Sequence, residues 1–317
     1  MEPTISIITA AYNVASYIGP LIDSVQAQTW ADWEMIIVDD GSADATAEVV
    51  ERYIAADPRI RLIRQKNSGP APARNHGLSL ISASSQYVTF MDSDDIWMPE
   101  ALAVLKEELE RFPDAVGAHG LADFIDSEGH PLRPGAFAQF GRRRFGFDGQ
   151  KFVRWKVSQP TTFETLIWTC PLYPPGTLLA RRSAYQRAGG YDPAMPLCED
   201  WDMALRLTRF GELRFINKVI LSYRRHTTNI SRNDLGNIRY VRHLYRKTFF
   251  SPENNSRQRE IVKRSWRAFQ VFKIQEKLKL ARQLANTQRY MKAIAKIGEI
   301  PVHFLRWLRG YPSLGRI

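Results

Sequence analysis

Tyr87-Val88-Thr89-Phe90-Met91-Asp92-Ser93-Asp94-Asp95-Ile96-Trp97-Met98-Pro99 drives an apolar, β-forming run directly into three carboxylates. Tyr87 to Met91 suit a buried strand. Pro99 and Glu100 then open a helix predicted over Ala101–Arg111. Carboxylates gathered where a strand of an open sheet ends repel one another, and a divalent cation that also binds phosphates relieves the repulsion. Turn and helix-cap aspartates produce the same local pattern without any ligand. The flanking chain has to decide between the two readings.

Working outward, residues 4–9, 33–38 and 60–63 read as further strands, with helices predicted over 15–28, 43–56 and 72–81. This alternation predicts an α/β fold with an open, mostly parallel, doubly wound sheet. Ligands of such sheets sit beyond the carboxyl ends of the strands. Those ends carry Thr9 to Asn13, Asp39-Asp40 and Asp92 to Asp95, which should converge on one crevice. Neither Gly-x-Gly-x-x-Gly nor Gly-x-x-x-x-Gly-Lys-Ser/Thr occurs, which argues against a hydride-transfer cofactor and a simple nucleoside triphosphatase. A nucleotide still fits, because a carboxylate such as Asp39 accepts hydrogen bonds from a base or ribose while Asp92 and Asp94 handle a diphosphate through a metal.

Other segments leave two readings each. Arg74, in the first turns of a helix after Gly69-Pro70, is either a cation for phosphates or a surface arginine. Glu199-Asp200-Trp201-Asp202 opens an amphipathic helix, where acids are favoured structurally and where one of them could serve as a general base. His226, in the segment 223–231, reads from its surroundings as a loop hydrogen-bonder rather than a ligand. Arg142-Arg143-Arg144 reads as a solvated basic loop. Residues 178–180 form a short strand followed by a helix to Ala188, and 151–170 carry no assignable pattern.

The chain has 317 residues and a net charge of +11, and the charge is unevenly placed. Residues 233–317 hold 19 Lys/Arg against 5 Asp/Glu, while the rest of the chain is slightly acidic. A near-neutral body with a basic helical tail suggests an anionic surface touched by one end rather than nucleic acid. The two cysteines, Cys170 and Cys198, have no metal-ligand spacing and fit a reducing compartment. With no signal peptide and no membrane-length apolar run, a cytoplasmic protein is expected, held at the inner face of the plasma membrane if the tail docks there.

Six motifs in order carry a family resemblance: residues 7–13 (Ile-Ile-Thr-Ala-Ala-Tyr-Asn), 38–42 (Val-Asp-Asp-Gly-Ser), 69–77 (Gly-Pro-Ala-Pro-Ala-Arg-Asn-His-Gly), 90–95 (Phe-Met-Asp-Ser-Asp-Asp), 189–192 (Gly-Gly-Tyr-Asp) and 199–202 (Glu-Asp-Trp-Asp). The chain from Thr4 to Ser231 resembles the family 2 glycosyltransferases of GT-A fold. The resemblance implies inverting transfer from a nucleotide-diphosphate sugar, with UDP the expected nucleotide. It places Thr9, Ala11, Tyr12, Asn13, Asp39, Arg74, Asp92 and Ser93 around the donor. It also implies Mn²⁺ or Mg²⁺ on Asp94, with Asp92 and His226 nearby, Asp200 as catalytic base, and Glu199, Trp201 and Arg225 near the sugar or acceptor. Asp40, Asp95 and Glu199 are expected to support rather than react. The Gln-x-x-Arg-Trp signature of processive synthases is absent after Asp200, so single addition to a glycan or lipid-linked acceptor is expected.

The organisation expected is a catalytic domain over 1–231 and a basic helical extension over 232–317. In the extension Val271, Ile274, Leu278, Ala281 and Ala285 share one helix face, expected to pack on the body, and residues 303–309 mix aromatics with arginines as an interfacial segment does. A catalytically silent sugar-nucleotide-binding scaffold on the same fold is the alternative. Retention of Asp92, Asp94 and Asp200 speaks against it. A nucleotidyltransferase would carry a basic, Gly-rich triphosphate loop near the first strand, which is missing.

Overall fold

A computed structural model describes residues 2–148, 151–168, 170, 172–229, 234–286 and 288–310. The expected boundary at 231/232, the residues Ile230 and Ser231 of the segment after the base, and the end of the tail from Tyr311 lie outside the described residues.

The first half alternates as predicted: β1 (Ile5–Ala11), α1 (Ala15–Gln26), β2 (Trp33–Asp39), α2 (Thr46–Ala56), β3 (Ile60–Arg64), α3 (Pro70–Ser79) and β4 (Tyr87–Phe90). β5 (Ile96–Trp97), α4 (Ala101–Arg111), β6 (Gly117–Ile125), α5 (Ala136–Arg142), a hairpin of β7 (Phe145–Asp148) and β8 (Lys151–Arg154), and α6 (Phe163–Leu166) follow. β9 (Leu178–Arg181), α7 (Arg182–Ala188), α8 (Glu199–Leu207) and β10 (Leu213–Arg224) complete the sheet region.

Eight strands form one sheet in the order β3-β2-β1-β4-β9-β6-β10-β5. It is mostly parallel, with β9 and β5 running against their neighbours. β2 is buried along its whole length and β1 nearly so, as strands covered by helices on both faces must be, which is why they read as mostly apolar runs with few polar residues inside them. α1 supplies Ile18, Leu21, Ile22 and Val25 at helical spacing to one face. Inside β2, Glu34 is a buried charge that the fold satisfies: it accepts hydrogen bonds from Ser6 Oγ and the Ser82 N–H, both at 2.6 Å, and pairs with Arg61 at 2.8 Å.

Of the three arginines expected in a solvated loop, Arg142 ends α5 and Arg143 is exposed, but Arg144 is internal. Arg144 is 1% exposed and donates to Thr161 Oγ1 and to the carbonyls of Lys156 and Gln159, stitching a segment that has no ladder of its own. Its rigid, many-donor head suits that task, and burial pulls its pKa down to about 10.

Beyond the sheet come α9 (Asp234–Phe250), α10 (Ser256–Asn286), α11 (Tyr290–Gly298) and α12 (Ile300–Arg309). Leu244, Tyr245, Ile261, Val262 and Trp266 belong to the same core cluster as β9 and α8. The Tyr245 hydroxyl donates to the Ile167 carbonyl at 2.8 Å, and Lys247 pairs with Asp192 and Asp202. The α10 stripe expected to pack is only partly used, since Val271 and Leu278 are exposed while Ala281 is buried, and the body is met by Ile261, Val262, Ser265 and Trp266. The residues that meet the body lie in the turns before the stripe begins. Trp266→Ala should cost about 3–5 kcal/mol of stability by leaving a large void beside Tyr245 and Phe269, read as a lower denaturant midpoint.

Candidate active site

The carboxyl ends of β1, β2 and β4 meet at one crevice, where the structure opens a cavity of about 990 Å³. β1 continues into its rim as Ala11, Tyr12 and Asn13. The rim is braced: Asn13 Oδ1 accepts the Ala43 N–H at 2.8 Å and the Asn13 N–H donates to Ser42 Oγ, so the loops after β1 and β2 are tied together. Asp40 lines the cavity and holds the next loop by accepting the Ser68 and Gly69 N–H groups at 2.9 and 2.7 Å. Gly69, at φ 92, then turns the chain into Pro70 and α3, a backbone conformation that favours glycine. Thr9 and Asp39 are buried in the sheet behind the wall rather than on it. Asp39 Oδ1 accepts the Ser42 N–H, and Arg64 stands 3.6 Å from Oδ2.

From β4 the Met91 N–H still donates to β1 at Ile8, and the chain then leaves the sheet as Asp92, Ser93 and Asp94, all on the cavity wall. Gly176 backs this turn so closely that any side chain there would collide with Met91 Sδ and Leu221. Asp95 turns inward, is fully buried and accepts the Arg224 N–H at 2.9 Å. Burial and the charges of Asp94 and Asp92 hold its pKa well above the usual carboxylate range. Arg224 fastens the loop further, donating to the Asp94 carbonyl at 2.8 Å.

Across the cavity, the residues after β10 meet the acidic turn. His226 Nε2 lies 2.8 Å from Asp94 Oδ2, and its ring stacks on Tyr17 at 4.7 Å. Asn229 Nδ2 lies 3.2 Å from the same Asp94 oxygen. Arg225 is exposed at the mouth, with its guanidinium 5.0 Å above the Phe124 ring.

Arg74 is buried, not a surface arginine. It donates to Glu199 Oε1 at 2.6 Å and to Asp92 Oδ1 at 2.8 Å, joining α3, the acidic turn and the start of α8. Of the acids opening α8, Glu199 is spent on Arg74, and Asp202 on Arg206 and Lys247. Asp200 alone of the three makes no ion pair among the described residues; its Oδ1 accepts only the Trp201 N–H, at 2.8 Å, and it lines the cavity. Burial and the neighbouring Glu199 charge push its pKa up to about 7, and burial, opposed by Arg74, pushes Asp92 up to about 6. Trp201 lines the cavity as well and is fixed by donating to the Leu166 carbonyl at 2.6 Å.

The sequence did not single out the aromatic wall. Phe124, Phe137, Tyr173 and Tyr223 line one side of the cavity, with Phe124 stacked on Phe137 at 4.2 Å and the two tyrosine hydroxyls 2.6 Å apart. They come from four separate segments with no shared periodicity, so only the fold assembles them. Cys170 and Cys198 also reach the cavity, and burial raises both thiol pKa values, so neither is a ready thiolate.

His226 Nε2 and Asp94 Oδ2, hydrogen-bonded to one another at 2.8 Å, are side-chain atoms that could hold a divalent ion here. No set of three or more His, Cys, Asp or Glu side chains forms a complete cage among the described residues. An ion here would therefore take further ligands from phosphate and water, as Mg²⁺ does in nucleotide sites.

Comparison with known proteins shows the fold and the family. Over 258 residues, 81% of this chain and 23% of the relative, the chain is 26% identical to the hyaluronan synthase of Pasteurella multocida. It spans between 18% and 43% of the length of this and other curated relatives. The fold matches that of S. aureus TarS in complex with UDP-GlcNAc, with a TM-score of 0.65 and 15% identity over 98% of this chain and 90% of that one. It also matches a mannosyltransferase from Pyrobaculum calidifontis in complex with GDP-Man and Mn²⁺, with a TM-score of 0.61 and 15% identity over 97% of this chain and 88% of that one. The family model for glycosyl transferase family 2 matches residues 6–189, more than half of the chain, and the chain belongs to that family.

Proposed function

We propose that this chain transfers a single sugar, with inversion, from a nucleotide-diphosphate sugar to a hydroxyl of a glycan or lipid-linked acceptor in polysaccharide synthesis. The observation that carries the proposal is the separation of labour among the acids: Asp94 is met by His226, Asp92 and Glu199 are held by Arg74, and Asp200 is left to face the cavity. A UDP-sugar is the favoured donor, supported by the UDP-GlcNAc complex of a fold neighbour and by a relative named for hyaluronan synthesis.

An acceptor hydroxyl must shed its proton as it attacks the anomeric carbon, and Asp200 takes it. Attack from the Asp200 side, with the diphosphate held on the Asp94 side, is in line and inverts the anomeric centre. Burial, and after it the Glu199 charge, raise the pKa of Asp200 to about 7, which suits a base near neutral pH, and Arg74 holds Glu199 and Asp92 in place. Asp94 and His226 would hold Mn²⁺ or Mg²⁺, which when bound stabilises the charge gathering on the leaving diphosphate. Tyr12 and Asn13 on the rim suit the nucleoside, with Thr9 and Asp39 supporting them from behind. The aromatic wall and Trp201 offer flat faces for the apolar side of a sugar ring.

Since Asp200 must be deprotonated to act, kcat/KM should fall about tenfold per pH unit below about pH 7. Glu199→Gln removes the neighbouring negative charge and frees Arg74 to act on Asp200, so that limb should move to lower pH. A pH–rate profile of both proteins reads this out.

Testing the proposal requires purified full-length chain, a panel of nucleotide sugars and Mn²⁺ or Mg²⁺. Release of a nucleoside diphosphate from one donor is expected, lost on chelation and restored by metal. Asp94→Ala should raise the Mn²⁺ concentration needed for half-maximal rate by about 10–100-fold. Binding of a donor without turnover, with metal and acceptor supplied, would leave the catalytically silent sugar-nucleotide-binding scaffold as the better reading.

A further inference from the structure

The last two helices pack along α10 with one side each. On α12, His303 is buried with Nδ1 2.8 Å from Gln270 Oε1, and the C-cap Gly310 lies against Arg267. Between the two helices Glu299 pairs with Lys277 at 2.7 Å and with Lys296 at 2.6 Å, fixing the bend to α10. What remains outward is strongly apolar. On α11, Tyr290, Met291, Ile294 and Ile297 recur at three- and four-residue spacing and are 51–79% exposed. On α12, Phe304, Leu305 and Leu308 form a second such face, 50–64% exposed, on the side away from His303. Single exposed apolar residues need no explanation, but two consecutive helix faces of this kind do.

The charges say what covers them. Residues 288–310 carry Arg289, Lys292, Lys296, Arg306 and Arg309 against a single acid, Glu299, which is already paired. A second copy of this chain would bring the same cations together across a two-fold axis, which opposes self-association through this face. An anionic bilayer meets both demands at once: acyl chains take Met291, Ile294, Leu305 and Leu308, and headgroup phosphates take the flanking cations. Phe304 and Trp307, stacked at 5.9 Å, sit where aromatic rings are favoured at such a boundary. No helix among the described residues is long and apolar enough to cross a membrane, so the contact is with the surface.

We propose that α11 and α12 form an interfacial docking face for an anionic lipid bilayer. The proposal does not depend on the sugar-transfer reading, because lipid binding requires neither donor nor metal. Removing residues 233–317 would be a poor test, since Trp266 and Tyr245 would leave the core. The test is sedimentation of the full chain with vesicles of phosphatidylglycerol in phosphatidylcholine and with vesicles of phosphatidylcholine alone. Wild type should pellet with the first and not the second, and added salt should weaken it. The Met291→Glu/Leu305→Glu double variant should lose about tenfold or more of its vesicle affinity with an unchanged melting midpoint. Lys292→Glu/Arg309→Glu should lose the preference for the anionic vesicles. Absence of wild-type pelleting, or equal pelleting of wild type and the Met291/Leu305 variant, overturns the proposal. So does a wild-type dimer in light scattering that the apolar variant abolishes without any vesicle binding, which would assign the face to a second copy.

Discussion

Asp200→Asn is expected to lower kcat by about 10²–10⁴-fold while donor affinity stays within about threefold of wild type. The asparagine keeps the shape and can still accept the Trp201 N–H, so the start of α8 is not disturbed. What it loses is the ability to take a proton from the acceptor hydroxyl. Since Asp200 makes no ion pair among the described residues and burial raises its pKa to about 7, a neutral amide there strands no cation and should raise rather than lower the melting midpoint near neutral pH. Steady-state turnover beside calorimetric donor binding separates this result from misfolding. A variant that keeps its turnover would remove Asp200 from the chemistry, and Glu199 could not replace it while Arg74 holds it at 2.6 Å.

Arg74→Met has the second large effect, and it falls first on stability. The side chain bridges Asp92 and Glu199 from a buried position, and both carboxylates would be left without their cation. Losing one member of a buried ion-pair network costs about 3–5 kcal/mol, most of it the penalty of the stranded charges. The sign with pH follows from that cause. Without Arg74 the pKa of Asp92, which burial already raises to about 6, rises further, so the variant's deficit should be greatest near neutral pH and shrink toward about pH 5 as that carboxylate protonates. Adding Glu199→Gln should recover part of the loss, making the pair less than additive. Chemical denaturation of the single and double variants at both pH values checks all three statements. An equal loss at both pH values would assign the cost to packing instead.

How far these residues could be recognised beforehand varied with how local their signal was. β1, β2 and β4 were plain because strands buried on both faces are rich in apolar and β-branched residues, and the clustered polar groups at their ends stood out against them. α4 was found residue for residue, since Pro99 marks its start. The insertion of antiparallel β9 between β4 and β6 was not foreseen, because four residues of strand carry no sign of their direction. Arg144 was misplaced for a similar reason: three consecutive arginines look solvated, and only the carbonyls of 156–159 reveal one of them as internal.

In the site, the role of an acid depended on distant partners. Glu199, Asp200 and Asp202 are equivalent as helix-opening residues. Arg74, 125 positions away from Glu199, and Lys247, from the tail, are what set them apart. His226 read as a loop residue until the fold brought it to Asp94 across 132 positions. Asp39 and Asp40 are neighbours in sequence and both are buried, yet of the two Asp40 alone reaches the cavity wall. Asn229 and the Phe137–Tyr173 wall had no sequence signal stronger than their neighbours.

Attack from the Asp200 side has one stereochemical consequence that needs no knowledge of the acceptor. Water can replace it, and proton NMR started at once after mixing reads the anomer of the first sugar released from the donor before mutarotation scrambles it. From an α-linked nucleotide sugar the mechanism predicts the β-anomer in wild type, with its release suppressed in Asp200→Asn. An α-anomer as first product would contradict single in-line displacement assisted by Asp200.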